Sequence, residues 1–173
     1  MLLQGELCRL RAIEPGDLDR MYRWENNPEV WHISGTTAPF SRFSLEAFIE
    51  SQRLDIFQSR QQRLIIEDRA SLRALGAIDL FEVEPLHRRA GVGILIHEPT
   101  DRAKGYGGEA LRLLMYYARN TLNLNQLWCN IEAENQASKS LFCSAGFRLV
   151  GIKSHWNWSP EGWQDEALYQ CIL

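Results

Sequence analysis

A short segment in the second half of the chain concentrates the residues most suited to binding an anionic group. It reads Arg102-Ala103-Lys104-Gly105-Tyr106-Gly107-Gly108-Glu109-Ala110 and follows an apolar run from Val92 to Ile96. Three glycines within four positions leave main-chain N–H groups uncovered at the start of a predicted helix, and the helix dipole strengthens their attraction for phosphate. Arg102 and Lys104 add positive charge on the approach. The segment therefore predicts a binding site for a phosphorylated cofactor.

Two nucleotide-binding motifs and an ordinary turn compete for this segment. A P-loop needs Lys-Ser or Lys-Thr directly after its last glycine, and Glu109 occupies that place, which excludes it. Gly105, Gly107 and Ala110 match a relaxed dinucleotide fingerprint. However, the residues 97–104 separate strand from glycine, and only one βαβ unit is found where a Rossmann domain needs several. A tight glycine turn before a helix remains open as a purely structural interpretation.

A second block of residues follows the glycine segment. After a predicted strand from Gln126 to Ala133 come Asn135, Ser138 and the closing pair Gly146-Phe147. Together, in this order and at this spacing, the two blocks resemble the acyl-CoA-dependent N-acyltransferases of the GNAT superfamily. The resemblance implies acetyl-CoA as cosubstrate and no metal.

Two earlier segments extend the resemblance. Leu10–Leu18 looks like the first strand and helix start of the family, and His87–Ala90 looks like the approach to its fourth strand. The likeness therefore runs from about Glu6 to Cys171. It is closest to two branches, those that acetylate ribosomal-protein or other protein N-termini and those that acetylate spermidine or related diamines.

The resemblance implies which groups hold the cofactor. These residues are Ile94, Leu95, Ile96, Arg102, Lys104, Gly105, Tyr106, Gly107, Gly108, Asn135, Ser138 and Lys139. The pantetheine arm is expected to lie along the main chain of Ile94–Ile96, with an N–H near Ile96 directed at the thioester oxygen, a donor worth about 3–4 kcal/mol of barrier. A bulky residue at Gly107 is expected to block the approach and to demand an unfavourable backbone conformation. Asn135 also suits a simple helix N-cap.

The sequence offers several candidates for the acid and the base of the reaction. Phe142 stands where many relatives carry a tyrosine whose hydroxyl protonates the leaving thiolate, so the thiolate leaves unaided or another group serves. Ser138 is the first candidate acid, ahead of Tyr106 and Cys143. The candidate bases are the acidic residues Asp79, Glu82, Glu98 and Glu132. Glu132 is preferred because it ends the strand beside the cofactor loop, which leaves Ser138 and Glu132 as the predicted catalytic pair.

The acceptor is expected to be a primary amine, either a protein N-terminus or a small amine, that attacks the thioester directly in a ternary complex. Spermidine or another diamine is an alternative, weakened because relatives often carry glutamate where Gly91 stands. A catalytically weak acyl-CoA-binding protein is another. Tryptophans cluster near the N-terminal loop and in the last hairpin: Trp24, Trp31, Trp156, Trp158 and Trp163. They fit an aromatic acceptor slot, cross-strand pairs or a homodimer interface equally well.

The length, composition and charge of the whole chain predict the class of protein to which these residues belong. Its 173 residues, 45% hydrophobic and 24% charged, predict one globular domain over 1–173. A net charge of −3 with scattered basic residues argues against nucleic acid, and no apolar run predicts a membrane span or signal peptide, so a cytoplasmic location is expected. Isolated histidines (His32, His87, His97, His155) and unpaired cysteines predict no metal site, and three cysteines, Cys8, Cys129 and Cys171, are expected to be buried thiols in strands.

The apolar periodicity predicts a mixed α/β domain. The resemblance implies a central mixed, mostly antiparallel sheet of about six to seven strands flanked by about four helices. Glycine, serine, threonine and proline predict a loop over 30–43, and an apolar stripe predicts one helix from Ser44 to about Ser59. A further helix is expected to run from Gly107 to about Leu122 and to present the glycine turn.

Overall fold

A computed structural model describes the backbone of residues 3–173 and their side chains except those of residues 32–34. Seven strands form one sheet in the described chain: β1 (Cys8–Ala12), β2 (Gln62–Asp68), β3 (Ala74–Glu84), β4 (Arg89–Ile96), β5 (Gln126–Glu132), β6 (Arg148–Ser159) and β7 (Gly162–Ile172). The α-helices are α1 (Leu18–Glu25), α2 (Pro28–Ser34), α3 (Arg42–Ser51), α4 (Ile56–Ser59), α5 (Tyr106–Asn120) and α6 (Gln136–Ser144). Single 3₁₀ turns lie at Pro15–Asp17 and Pro99–Asp101.

The strands are ordered β1-β2-β3-β4-β5-β7-β6 across the sheet. Each neighbouring pair is antiparallel except β4 and β5, which run parallel. The predicted mixed, mostly antiparallel sheet is therefore confirmed. The parallel pair is short, since its register covers only Arg89–Gln126, Ala90–Leu127 and Gly91–Trp128. Beyond Gly91 the two strands separate, and this separation creates the opening around which the site is built.

Helix α5 covers one face of the sheet through a continuous apolar side. Ala110, Leu111, Leu114 and Ala118 are buried at helical spacing and join the larger core cluster with β1, β3, β4 and β5. Its first turn also anchors the start of the chain. The carboxylate of Glu109 accepts N–H groups from Glu6, Leu7 and Cys8 at 2.7–2.9 Å.

The opposite face carries a smaller core cluster beneath α1 and α3. Met21, Leu45 and Ile49 pack there on Ile65 of β2. Because successive side chains of a strand point to opposite faces, β4 contributes to both sides of the sheet. Ile94 and Ile96 pack on the α5 side. None of the described helices is long and apolar enough to cross a membrane.

Two sequence-based element predictions are wrong in detail. The loop expected over 30–43 contains α2, which begins because Asn27 accepts the N–H of Glu29 and Pro28 takes the first helical position. The single helix expected from Ser44 to Ser59 is two helices. Asp55 caps α4 by accepting the N–H of Phe57 at 2.8 Å, and this cap separates α4 from α3.

Candidate functional site

The separation of β4 from β5 leaves main-chain groups of β4 exposed to an opening. Asn125 N–H donates to the Arg88 carbonyl at 2.6 Å, towards β5, and His97 N–H donates to the Leu75 carbonyl at 3.1 Å, towards β3. Because main-chain groups alternate sides along a strand, those of Ile94 and Ile96 face the opening. No strand of the described chain pairs with them there. An extended ligand with amide groups fits such an edge.

The glycine turn closes one end of this opening. Gly105 has φ +90° and precedes α5, whose first helical bond runs from Glu109 N–H to the Gly105 carbonyl at 3.0 Å. The N–H groups of Tyr106, Gly107 and Gly108 therefore lie ahead of the first helical acceptor, and no described residue accepts from them. This is the arrangement that binds phosphate.

The two inner glycines are not needed for packing. A Cβ at Gly107 would lie 3.6 Å from Leu141 Cδ2, and one at Gly108 would lie 3.5 Å from Arg112, which are ordinary contacts. The prediction that Gly107 needs an unusual backbone conformation is wrong, because the left-handed φ belongs to Gly105. What the inner glycines provide is open space beside the N–H groups.

The predicted cations lie at the turn but each has a protein partner. Arg102 donates to the carbonyls of Ile96 and His97, both at 2.9 Å. Lys104 Nζ lies 3.7 Å from Asp101, whose carboxylate also receives both terminal nitrogens of Arg73 at 2.7 and 2.8 Å. The Arg73 guanidinium holds the pKa of Asp101 below its ordinary value. Arg102 thus fixes the end of β4.

The hydroxyl of Tyr106 is hydrogen-bonded to a residue outside the opening. This hydroxyl donates to Asp68 at 2.7 Å. Hydrogen bonds from Ser71 and then from Tyr106 lower the pKa of Asp68 to about 2, and the same Tyr106–Asp68 bond raises the pKa of Tyr106. A phenol held this way is a poor acid for a leaving thiolate, in line with its low rank among the sequence-based candidates.

The second block lies beside the opening at the start of α6. Asn135 Oδ1 accepts the Ser138 N–H at 3.0 Å, so its N-cap role is present. Lys139 Nζ donates to the Ala133 carbonyl. The side chain of Ser138 is half-buried, as is that of Glu132, which ends β5 where the opening is widest. The structure thus gathers Ser138, Lys139, Asn135 and Glu132 at one end of the opening.

Phe142 lies in the core beneath the second block. Its ring is 3% exposed and packs edge-to-face on Phe147 with centroids 5.0 Å apart. The remaining candidate bases are less well placed than Glu132. Asp79 is bound by Arg63 at 2.8 and 3.1 Å. Glu82 is exposed on β3, and Glu98 is exposed ahead of the second 3₁₀ turn.

The face opposite α5 presents aromatic residues beside the end of β4. The Trp24 indole stacks on the His97 imidazole at 4.1 Å with an interplanar angle of 5°, and the Trp31 N–H donates to the Glu25 carbonyl at 2.8 Å. Burial, followed by the positive charges of Arg63 and Arg102, lowers the pKa of His97 to about 4. The sequence reasoning named Trp24 but missed His97, although its place directly after Ile96 was a signal.

The hairpin tryptophans are on the surface. Trp156, Trp158 and Trp163 are 57–68% exposed, and Trp158 is directly opposite Trp163 across β6 and β7. Lys153 Nζ lies 4.5 Å from the Trp156 ring centroid. The cross-strand pair predicted for this hairpin is therefore present, while its use as a slot or an interface stays a prediction.

The cysteines occupy the predicted places. Cys8, Cys129 and Cys171 are buried free thiols in strands, and burial raises the pKa of the first two to about 12. Cys143 is exposed on α6. Within the described residues no three His, Cys, Asp or Glu side chains are placed to hold a metal ion; the side chain of His32 lies outside them.

Comparisons with known proteins agree with this geometry. The profile of the GNAT acetyltransferase domain matches residues 8–148. The chain is 28% identical over 168 residues to the spermidine N(1)-acetyltransferase of Escherichia coli (strain K12), covering 95% of this chain and 85% of that protein. It is 39% identical over 159 residues to an N-acetyltransferase 9-like protein of Nematostella vectensis, covering 86% and 78%. The fold matches a spermidine N-acetyltransferase of Vibrio cholerae, solved with CoA and spermine, with TM-score 0.86 at 24% identity, covering 97% and 96%.

Proposed function

This chain belongs to the GNAT acetyltransferase family, and we propose that it transfers the acetyl group of acetyl-CoA to a primary amine by direct attack within a ternary complex. The observation that carries the proposal is the opening between β4 and β5, which ends at the uncovered N–H groups of Gly107 and Gly108. The diphosphate would bind at the glycine turn. The pantetheine arm would then pair with the free edge of β4, and the Ile96 N–H would face the thioester oxygen.

The cofactor proposal is tested by binding and by turnover. A thermal-shift series with acetyl-CoA, CoA, NAD and ATP should show stabilisation by the first two only, about 2.7 kcal/mol at a hundredfold excess over the dissociation constant. Thiol release with an amine panel then measures transfer. Stabilisation by NAD or ATP but not by CoA would contradict the proposal.

The acceptor is proposed to be a protein N-terminus or a small amine bearing few charges. Two of the carboxylates that could hold a polyamine are paired within the protein, Glu25 with Arg63 and Glu166 with Lys153. Asp165 accepts the His155 N–H at 2.8 Å and Glu29 is exposed, so these two keep their charge. The two ion pairs reduce the negative charge available to several ammonium groups. Spermidine acetylation remains the alternative that the named relatives support.

The space for an additional carboxylate is also missing at Gly91. A Cβ there would lie 2.4 Å from Phe81 Cε2, and the Phe81 ring packs edge-on against Trp128 at 5.2 Å. A glutamate at this place would need the ring to move. We therefore expect kcat/KM for spermidine to be less than about tenfold above that for a simple monoamine, because an exposed ion pair adds about 1 kcal/mol or less and tenfold needs about 1.4 kcal/mol. A preference of a thousandfold would establish the polyamine alternative instead.

Proton transfer is proposed to involve Ser138 and Glu132 at the wide end of the opening. Phe142 offers no hydroxyl and its ring is buried, so Ser138, half-buried at the first turn of α6, is the proposed donor to the leaving thiolate. Glu132 would accept, through water, the proton that the ammonium form of the amine loses before it attacks. Ser138→Ala and Glu132→Gln should each lower kcat and leave the affinity for CoA unchanged; unchanged kcat in both would remove them from the mechanism.

The exposed hairpin supports a proposed homodimer. Strand β6 lies at the edge of the sheet, and its large apolar residues Leu149, Val150 and Ile152 are 52–60% exposed. A second copy would cover these side chains and the free edge. Sedimentation of the wild type against Ile152→Lys should show a dimer that the variant loses. We place the protein in the cytoplasm, where acetyl-CoA is available and free thiols stay reduced.

A further inference from the structure

His97 is a buried polar side chain without a hydrogen-bond partner. It is 9% exposed, and its Nδ1 is buried with no donor or acceptor in reach. No described residue bonds to its Nε2 either. A buried unpaired polar atom costs about 1–3 kcal/mol, so a sequence keeps one only where something compensates. Unlike Nδ1, the unpaired Nε2 is not among the fully buried side-chain atoms, so it is the nitrogen available to a bound molecule.

The position of His97 relates it to the proposed reaction. It follows Ile96 directly, and its own N–H extends the pairing of β4 with β3 at 3.1 Å to Leu75. Its ring stacks on Trp24 of α1, so it lies on the face of the sheet opposite α5. The cofactor would approach from the α5 side, and an acceptor nitrogen must reach the thioester from another side. The His97–Trp24 face is the side that remains.

The ring is held rigidly in place. Arg102 donates to the His97 carbonyl at 2.9 Å and fixes the main chain, while the parallel indole fixes the plane of the imidazole. Arg63 is the charged neighbour on this face, and it is itself clamped by Glu25 and Asp79. Burial and nearby positive charge keep the imidazole neutral, so its lone pair is free. The same effects lower the pKa of His97 to about 4, which makes it a base about as weak as a carboxylate and lets it release the proton again after the transfer.

Building on the proposed function, we infer that His97 is a catalytic residue of the acceptor side, which accepts the proton of the attacking amine. Because Nδ1 is closed off, Nε2 is the nitrogen that a substrate can reach. The amine nitrogen forms a bond to the acetyl carbon and the carbon–sulfur bond breaks. The proton released by nitrogen on attack passes to Nε2 and from there, through water and the Ser138 hydroxyl, to the thiolate, giving the amide and CoA.

The matched variants are His97→Phe, His97→Gln and His87→Phe. Phenylalanine keeps the flat ring on Trp24 and removes both nitrogens, while glutamine places a polar atom close to the position of Nε2. His87→Phe is the control, because His87 is exposed in the turn before β4. Steady-state transfer is measured with varied amine and varied acetyl-CoA, together with the CoA-dependent thermal shift for each variant.

The wild type must first transfer acetyl groups, since its failure with every amine would contradict the proposed function and not the role of His97. Given transfer, His97→Phe should lose about 100-fold or more in kcat/KM for the amine, as loss of a general base does. The KM for acetyl-CoA and the CoA shift should stay within about twofold of wild type, and His97→Gln should recover part of the loss. Equal kcat/KM in wild type and His97→Phe, with the shift intact, would overturn the inference.

Discussion

Replacing Gly107 by alanine separates cofactor binding from folding. The methyl group would lie 3.6 Å from Leu141 in the free protein, an ordinary contact, and the backbone there is helical. Alanine favours a helix over glycine by about 0.5–1 kcal/mol, so the unliganded variant should be at least as stable as wild type. With a phosphate at the turn, the methyl group would stand between the anion and the N–H groups and disrupt one or two charge-assisted bonds of about 1.5–3 kcal/mol each.

A loss of about 2.7 kcal/mol, near the strength of a single such bond, corresponds to a dissociation constant about 100-fold higher. At a CoA concentration 100 times the wild-type constant, ligand stabilisation should fall from about 2.7 to about 0.4 kcal/mol. A chain of this size gains about 2–4 °C per kcal/mol, so the CoA-induced rise in Tm should fall from about 5–11 °C to about 1–2 °C.

The matched control is Gly16→Ala. Gly16 also lies in a helical segment, the 3₁₀ turn Pro15–Asp17 before α1, with nothing within 4 Å of its added Cβ. This variant should keep the full CoA shift. Two results would refute the reasoning. A wild-type CoA shift in Gly107→Ala would mean that the turn does not seat the diphosphate, and a lower Tm of the unliganded variant would mean that the glycine is structural.

Three further outcomes follow from buried groups. Phe142→Tyr should lower the free energy of unfolding by about 1–3 kcal/mol in urea melts and leave kcat unraised, because its ring is 3% exposed and would bury an unpaired hydroxyl; a higher kcat would show that the ring reaches the thiolate. Glu109→Gln should cost about 1–3 kcal/mol in the same assay, since an amide cannot replace both carboxylate acceptors of the N–H groups at residues 6–8; wild-type stability would contradict this anchoring. Folding lowers the pKa of His97 from 6.5 to about 4, so between these pH values the unfolded chain binds a proton that the folded chain does not bind. The free energy of unfolding is therefore not reduced by His97 above pH 6.5, and it decreases as the pH falls towards 4. Between pH 7 and 5 wild type should therefore lose roughly 2 kcal/mol more than His97→Phe, and equal losses would contradict a buried neutral imidazole.

Local signals explain what the sequence predicted well. The glycine turn, α5 and the strand-to-helix step at Asn135 are each specified within a few residues by caps, glycines and apolar spacing. The loop predicted over 30–43 overlooks α2 although its signal is local, because Asn27 and Pro28, which come just after α1, are also a helix N-cap and first helical residue.

Tertiary contacts explain what could not be predicted. Arg102 was expected to face the phosphate, but its partners are carbonyls that only the end of β4 brings within 2.9 Å. Phe142 could have lined the site or the core, and the choice depends on Phe147 five residues away on the next segment. The orientation of the His97 ring depends on stacking against Trp24, which is distant in sequence. Neither spacing nor residue type encodes such partners.

Main-chain groups and side chains have different roles in the proposed site, so cofactor binding and proton transfer can vary independently. In the proposed mechanism, the cofactor is bound by main-chain groups of β4 and of the turn at Gly105–Gly108. Proton transfer is proposed to depend on side chains, each of which can be replaced without closing the opening. A chain with phenylalanine at 142 can therefore keep the cofactor and move the proton through a different residue. Affinity for CoA alone consequently says nothing about turnover, and only variants that change one while preserving the other, such as Gly107→Ala and His97→Phe, distinguish the two.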